Sequence, residues 1–314
     1  MSAPDPSQKD PRRTEARQTV NSIIVPSYNE GPNLYPLISR LFESLPPDHV
    51  RHTEVLIIDD NSQDATFAEV ERLRESGYNV RLHVRTEERG LSSAVLHGFS
   101  LAQGSKLLVM DADLQHPPES AFALLQALPD MPKGGRILPP QFALGTRYGK
   151  GMEIDRDWPL YRRIISWGAR MLSRPLTSAQ DPMGGFFALR KDLFLASEPL
   201  NPSGFKIGLE LLLKTHLKPD QLVHVPYGFS KRLLGSSKLG VKVIFRYVGQ
   251  LLALYEWRFG VLFFLFVGFT AASIVYSAIS SARWVVTTTG WQESRVGRTL
   301  MGDKRRKKRQ KSEV

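Results

Sequence analysis

Short apolar runs rich in β-branched residues recur along the first half of the chain, at residues 20–25, 54–58, 80–84, 106–110 and 142–145. Each is too short for a helix and has the composition of a strand with both faces buried. Between them, residues 36–44, 65–75 and 91–102 carry apolar positions at helical spacing. Strand and helix in alternation predict an α/β fold, a Rossmann-like, mostly parallel sheet covered by helices on both faces. Further along, residues 160–173 read as a helix, 181–189 as a turn into an apolar strand, and 206–217 as another helix, while the Gly- and Pro-rich residues 132–140 read as a surface loop.

The polar residues are placed by the same pattern. In such sheets ligands bind beyond the carboxyl ends of the strands. Residues 27–30 follow the first run, 59–61 the second and 111–115 the fourth, so acidic side chains are expected to meet at one edge. Asp111 and Asp113 are one residue apart at a strand end and point to the same side of the chain. Left alone they repel each other. A divalent cation resolves that, and with oxygen ligands Mg²⁺ or Mn²⁺ is the ion expected on Asp111, Asp113 and the Gln115 amide. Asp59 and Asp60 are placed to accept hydrogen bonds from a base or a ribose hydroxyl. The candidate phosphate-binding cations come later: Arg147, Arg162 and Arg163, then Arg232 and Lys238 around a Gly-Ser-Ser loop.

The end of the chain follows a different pattern. Residues 259–282 contain no charge and would span about 36 Å as a helix, enough to cross a bilayer core. The preceding residues 239–257 set Lys242, Arg246 and Gln250 at intervals of one helical turn in an apolar stretch. That stripe fits a helix lying in the membrane interface, cations toward head groups, and equally one packed on the globular domain. The chain therefore divides into a disordered N-terminus (1–18), a catalytic domain (19–238), an amphipathic interface helix (239–257), a transmembrane helix (258–283) and a basic tail (284–314).

Charge and composition narrow the function. The net charge is +11, but from Arg283 onward ten Lys and Arg stand against three Asp and Glu. The excess is concentrated in the tail, so the body carries an unremarkable net charge and nucleic acid is not an expected partner. With no cysteine, metal sites built on thiolate are excluded. The N-terminus lacks an apolar segment of signal-peptide type, which places the catalytic domain in the cytosol. A tail so basic on the far side of a single span would run against the positive-inside tendency, and a re-entrant bend near Ala271 to Ser273 would avoid this.

Taken in order, Pro26-Ser-Tyr-Asn-Glu30, Ile58-Asp-Asp-Asn-Ser62, Arg89-Gly-Leu-Ser-Ser-Ala94, Asp111-Ala-Asp-Leu-Gln-His-Pro-Pro-Glu119, Gly145-Thr-Arg147 and Asp181-Pro-Met-Gly-Gly-Phe-Phe187 resemble the motif set of family 2 GT-A glycosyltransferases. Within that family the likeness is to members that make dolichyl phosphate β-mannose from GDP-mannose, and it covers about Thr19 to Gly240. The resemblance implies an inverting transfer of mannose to dolichyl (polyprenyl) phosphate at a lipid bilayer, in the endoplasmic reticulum or a prokaryotic cell membrane, feeding protein glycosylation and GPI-anchor assembly. It implies that Pro26, Tyr28, Glu30, Ile58 and Asp60 hold the guanosine end. Asp111, Ala112, Asp113 and Gln115 would hold metal and diphosphate, Arg232 and Lys238 would close over the donor phosphates, and Arg147, Arg162 and Ser166 would receive the lipid phosphate. Asp113 and Arg147 are thereby the residues expected to act in catalysis. Two positions depart from the family pattern: Ser236 stands where Glu is usual and Gly184 where Ser is common. The rival expectations are the same fold with UDP-glucose or another nucleotide-sugar as donor, and a non-catalytic membrane adaptor using its basic tail.

Overall fold

The computed structural model describes residues 19–130, 139–148, 160–229 and 241–281 together with Trp284, excluding the side chains of 160–162 and 241–242. The predicted N-terminal disorder, the 132–138 part of the surface loop, Arg232, Ser236, Lys238 and the basic tail lie outside these residues.

The six predicted strands and a last one that the pattern did not mark form one seven-stranded sheet: β1 (Asn21–Ser27), β2 (Thr53–Asp59), β3 (Val80–Val84), β4 (Lys106–Val109), β5 (Phe142–Thr146), β6 (Phe187–Arg190) and β7 (Leu222–Pro226), in the order β3-β2-β1-β4-β6-β5-β7. All pairings are parallel except those of β6, which runs antiparallel to both β4 and β5. The helices are α1 (Gly31–Ser44), α2 (Pro47–Val50), α3 (Thr66–Glu75), α4 (Leu91–Leu101), α5 (Ala121–Gln126), α6 (Leu160–Ser173), α7 (Lys191–Leu195), α8 (Ile207–Lys214) and α9 (Val241–Phe259).

Side chains alternate across each strand, so every central strand feeds two cores. Ile23, Val25, Val55 and Ile57 pack under α1, α3 and α5 through Leu34, Leu37, Val70, Leu73 and Leu124. Ile24, Leu56 and Ile58 pack on the other face against Val95 and Phe99 of α4 and Leu211 and Leu212 of α8. Burial on both faces is why the strands are unbroken apolar runs in the sequence.

Helix α1 begins five residues before the predicted Pro36, with Pro36 inside it. Its first amide is satisfied from outside the helix: the Gly31 N–H donates to Asp64 Oδ2 at 2.8 Å, meeting the need of an unpaired helix start. Gly31 is also required sterically, because a Cβ there would lie 2.6 Å from the Thr66 backbone nitrogen.

Residues up to Leu254 form one compact unit and those from Tyr255 a second. Within the first, one side of α9 packs on the catalytic domain. Tyr247 donates its hydroxyl to the Ala169 carbonyl of α6 at 2.8 Å, and Gln250 is only 5% exposed. The expected polar stripe therefore splits: Gln250 packs on the catalytic domain while Arg246 stays exposed. Phe245, Val248 and Leu252 are exposed as well. In the second unit, Val261–Ser281 is a 21-residue helix of mean hydropathy 2.1 with no buried residues, long and apolar enough to cross a membrane.

Candidate active site

The strand order reverses at β1, whose neighbours are β2 and β4, and the ligand crevice expected of such a sheet lies at the carboxyl ends of these strands. Pro26 and Ile58 are register partners there, followed by Ser27 and Asp59. The Ile58 side chain is wholly buried in the core, as is that of Ala112 in the opposite core, so both can meet a ligand only through their backbones. Tyr28 is 39% exposed, with the Arg89 guanidinium 5.5 Å from its ring centre. Glu30 is buried and accepts from the Asn33 amide at 2.8 Å.

The two aspartates after β2 have different partners. Asp59 closes its own turn by accepting from the Ser62 N–H and hydroxyl at 2.7 and 2.6 Å. Asp60 is held by Arg85, which donates through Nε at 2.9 Å and also through Nη2, and by the Gly90 N–H at 2.8 Å. Arg85 lies outside the motifs read from the sequence, yet it ties Asp60 to the start of α4 through Ser93.

After β4 the chain turns sharply. Leu114 adopts φ +61°, a left-handed conformation unusual for a bulky side chain, and the buried Leu114 side chain holds the loop in place. The Gln115 N–H donates to Asp113 Oδ1 at 3.1 Å, while the buried His116 accepts the Asp111 N–H on Nδ1 at 3.0 Å. That bond puts the proton of the neutral ring on Nε2. Burial, more than the opposing pull of Asp111, keeps the His116 pKa below its ordinary value. His116 stacks on Phe186 and meets Tyr227 edge-on, so a ring the sequence reading left without a role fixes the backbone at Asp111.

Because β6 runs antiparallel, the segment entering it arrives at the end of β4, where Val109 pairs with Phe187. This brings Asp181 to Arg147, whose Nε and Nη2 donate to its two oxygens at 2.7 and 2.9 Å. Burial alone would lower the Arg147 pKa, but the hydrogen bonds and charge of Asp181 outweigh it and keep the guanidinium firmly protonated. Gly184 occupies a tight turn: a Cβ there would sit 3.3 Å from the Asp181 carbonyl. Burial, then the like charge of Arg147, pulls the Lys206 pKa down. The Tyr227 hydroxyl is buried without a hydrogen-bond partner among the described residues, and burial raises its pKa.

A cavity of about 370 Å³ opens beside this cluster. Arg147, Ser166 and Lys206 line it together with the apolar side chains Ile165, Leu172, Val243 and Ile244. Arg162 lies on α6 one turn before Ser166, its side chain outside the described residues, and Arg163 is exposed. Among the described residues no three His, Cys, Asp or Glu side chains cluster as a metal cage. Asp111 and Asp113 supply carboxylate oxygens at the crevice, an incomplete set that suits an oxygen-seeking divalent ion completed by a ligand's own oxygens.

Residues 22–196 match glycosyl transferase family 2. The chain is 50% identical over 250 residues to the dolichol-phosphate mannosyltransferase of Mycosarcoma maydis, covering 78% of this chain and 82% of that one. It is 51% identical over 244 residues to that of Saccharomyces cerevisiae, covering 76% and 88%. Among solved structures, glucosyl-3-phosphoglycerate synthase of Mycobacterium tuberculosis with bound UDP shares the fold at a TM-score of 0.55 and 18% identity, over 76% of this chain and 80% of that one. The GT-A sheet with its acidic strand ends, the matched profile and these relatives agree, and the chain is a glycosyltransferase that belongs to family 2, among the dolichol-phosphate mannosyltransferases.

Proposed function

We propose that this protein transfers mannose from GDP-mannose to dolichyl phosphate with inversion, giving dolichyl β-D-mannosyl phosphate and GDP. The observation that carries this reading is the cavity: apolar along its walls, with Arg147, Ser166 and Lys206 also lining it, Arg147 paired with Asp181 and Lys206 in electrostatic reach of both Asp111 and Asp181. A lipid monophosphate matches a greasy wall with a cationic end. The relatives named for dolichol phosphate and mannose supply the acceptor and the sugar.

In this reading Pro26, Tyr28, Glu30, Ile58 and Asp60 hold the guanosine, with Ile58 and Ala112 acting through their backbones. Asp111, Ala112, Asp113 and Gln115 face the diphosphate, and Arg232 and Lys238 close over it. The site takes Mg²⁺ or Mn²⁺ on Asp111, Asp113 and Gln115. A fold neighbour was crystallised with Mn²⁺ and UDP, which supports the ion's class. Bound there, the ion would offset charge on the departing diphosphate.

The acceptor phosphate is already anionic near neutral pH, so the protein needs no strong general base. Arg147, Arg162 and Ser166 orient it. The Asp181 fork holds Arg147 in one conformation, so little reorganisation accompanies the attack. The helix Val261–Ser281 anchors the chain in the endoplasmic reticulum membrane, or the cell membrane of a prokaryote, with the catalytic domain on the cytosolic side.

The test is incubation of the full-length protein with polyprenyl phosphate and radiolabelled GDP-mannose or UDP-glucose, followed by extraction of the lipid. A labelled mannolipid from GDP-mannose alone is the expected result. Label from UDP-glucose instead reassigns the donor, and no labelled lipid from either removes the reading.

A further inference from the structure

Lys206 places a second cation beside Arg147, one the sequence reading did not assign. Its part-buried side chain lines the cavity, and among the described residues its ammonium donates one hydrogen bond, to the Met183 carbonyl at 3.0 Å, and lies 5.1 Å from the centre of the Phe205 ring. An ammonium has three N–H donors. Two are left over at the cavity wall, where the oxygens of an anion can accept them.

Nearby countercharge does not supply what is missing. The buried carboxylate of Asp181 is engaged at both oxygens by Arg147, and Arg147 itself opposes the charge of Lys206. Asp111 attracts it from across the crevice without a hydrogen bond between them among the described contacts. Two part-buried cations thus face one buried carboxylate, an imbalance that an anion entering the cavity would correct. The remaining walls, with Ile165, Leu172, Val243 and Ile244, favour an anion carried on an apolar body.

The backbone at Lys206 is held in place. Gln250 of α9 accepts the Phe205 and Lys206 N–H groups on one oxygen at 2.9 and 2.8 Å. Its amide nitrogen in turn donates to Glu210 at 3.1 Å. The start of α8 is therefore capped by a side chain from another helix, and the lysine projects from a fixed point.

We infer that Lys206 donates hydrogen bonds to the phosphate of the acceptor lipid, sharing its oxygens with Arg147 and so setting the position of the attacking oxygen. This rests on the cavity being the acceptor site.

Calorimetric titration of the full-length protein in detergent, without donor or metal, tests it with farnesyl phosphate, uncharged farnesol and GDP as probes. Wild-type protein is expected to prefer farnesyl phosphate to farnesol. In Lys206→Met, and in Lys206→Gln, which retains a donor for Met183, that preference falls about tenfold, the scale of a charge-assisted hydrogen bond. Farnesol and GDP affinities stay at wild-type values, which also shows that the variants are folded; a purely structural lysine would weaken farnesol binding equally. An unchanged phosphate preference overturns the inference, as does a loss confined to GDP, which would move Lys206 to the donor. If wild-type protein itself shows no preference for the phosphate, the acceptor reading falls and this inference with it.

Discussion

Arg147 and Asp181, 34 residues apart, meet in a buried two-point fork in which Nε donates to Oδ2 at 2.7 Å and Nη2 to Oδ1 at 2.9 Å. The backbone N–H of Arg147 adds a third bond to the same carboxylate at 3.2 Å. The pair is possible because antiparallel β6 returns the chain to the carboxyl edge of the parallel strands. Removing one partner of such a pair leaves a buried charge uncompensated. Asp181→Ala is therefore expected to lower stability by about 3–5 kcal/mol, read as a fall in the denaturant midpoint. Asp181→Asn, which keeps an acceptor for one donor, should lose less.

Asp111→Ala and Asp113→Ala should each abolish formation of the lipid product at every Mg²⁺ or Mn²⁺ concentration, since among the described residues no third acidic side chain joins the pair as a metal cluster. Chromatography of extracted lipid checks this. A variant that retains most of its turnover removes the paired carboxylates from the proposed site.

Gln250→Leu matches the shape of the side chain but withdraws the acceptor of the Phe205 and Lys206 N–H groups and a donor to Glu210. Stranding buried polar groups costs about 1–3 kcal/mol. Urea denaturation should show that loss, whereas Arg246→Leu, at an exposed position on the same helix, should change stability little.

Gly31→Ala drives a methyl group into backbone, 2.6 Å from Thr66 nitrogen and 2.9 Å from Ala65 carbon. Backbone cannot step aside as a flexible side chain does. A destabilisation of about 1–3 kcal/mol is expected in thermal unfolding. Gly249→Ala, on α9 where an added Cβ meets nothing within 4 Å, should be neutral or slightly stabilising.

Tyr227→Phe removes a buried hydroxyl that has no partner among the described residues. Losing an unpaired polar atom relieves a desolvation cost, so the ligand-free variant should melt at the wild-type temperature or above it. A clear fall in melting temperature would reveal a hydrogen bond made by this hydroxyl.

The strands and acidic strand ends were legible because they follow from local rules. A strand buried on both faces is an apolar run, and the sheet's binding edge lies where those runs give way to Asp59, Asp60, Asp111 and Asp113. Helix α1 was read short because Pro36 argues locally against helix, whereas its true start is stabilised by Asp64, 33 residues away. The stripe that includes Gln250 fitted a membrane interface and packing on the domain equally, because spacing along α9 says nothing about which side meets the domain. His116 and Asp181 stand inside quoted motifs that say nothing of their partners, and Arg85 and Lys206 gave only the signal of being polar residues beside a motif or at the start of a helix.

The sequence by itself determined the two-core sheet, the edge where acidic residues gather, the paired carboxylates and the uncharged C-terminal stretch, all of which depend on residues close together in the chain. Tertiary structure alone decided which charges meet. Antiparallel β6 delivers Asp181 to Arg147, the fold of α8 against α9 fixes Lys206 through Gln250, and α6 with α9 encloses the apolar cavity. Electrostatic and hydrogen-bonding partners are set by distance in space, and distance in space between residues far apart in sequence is known only once the chain has folded.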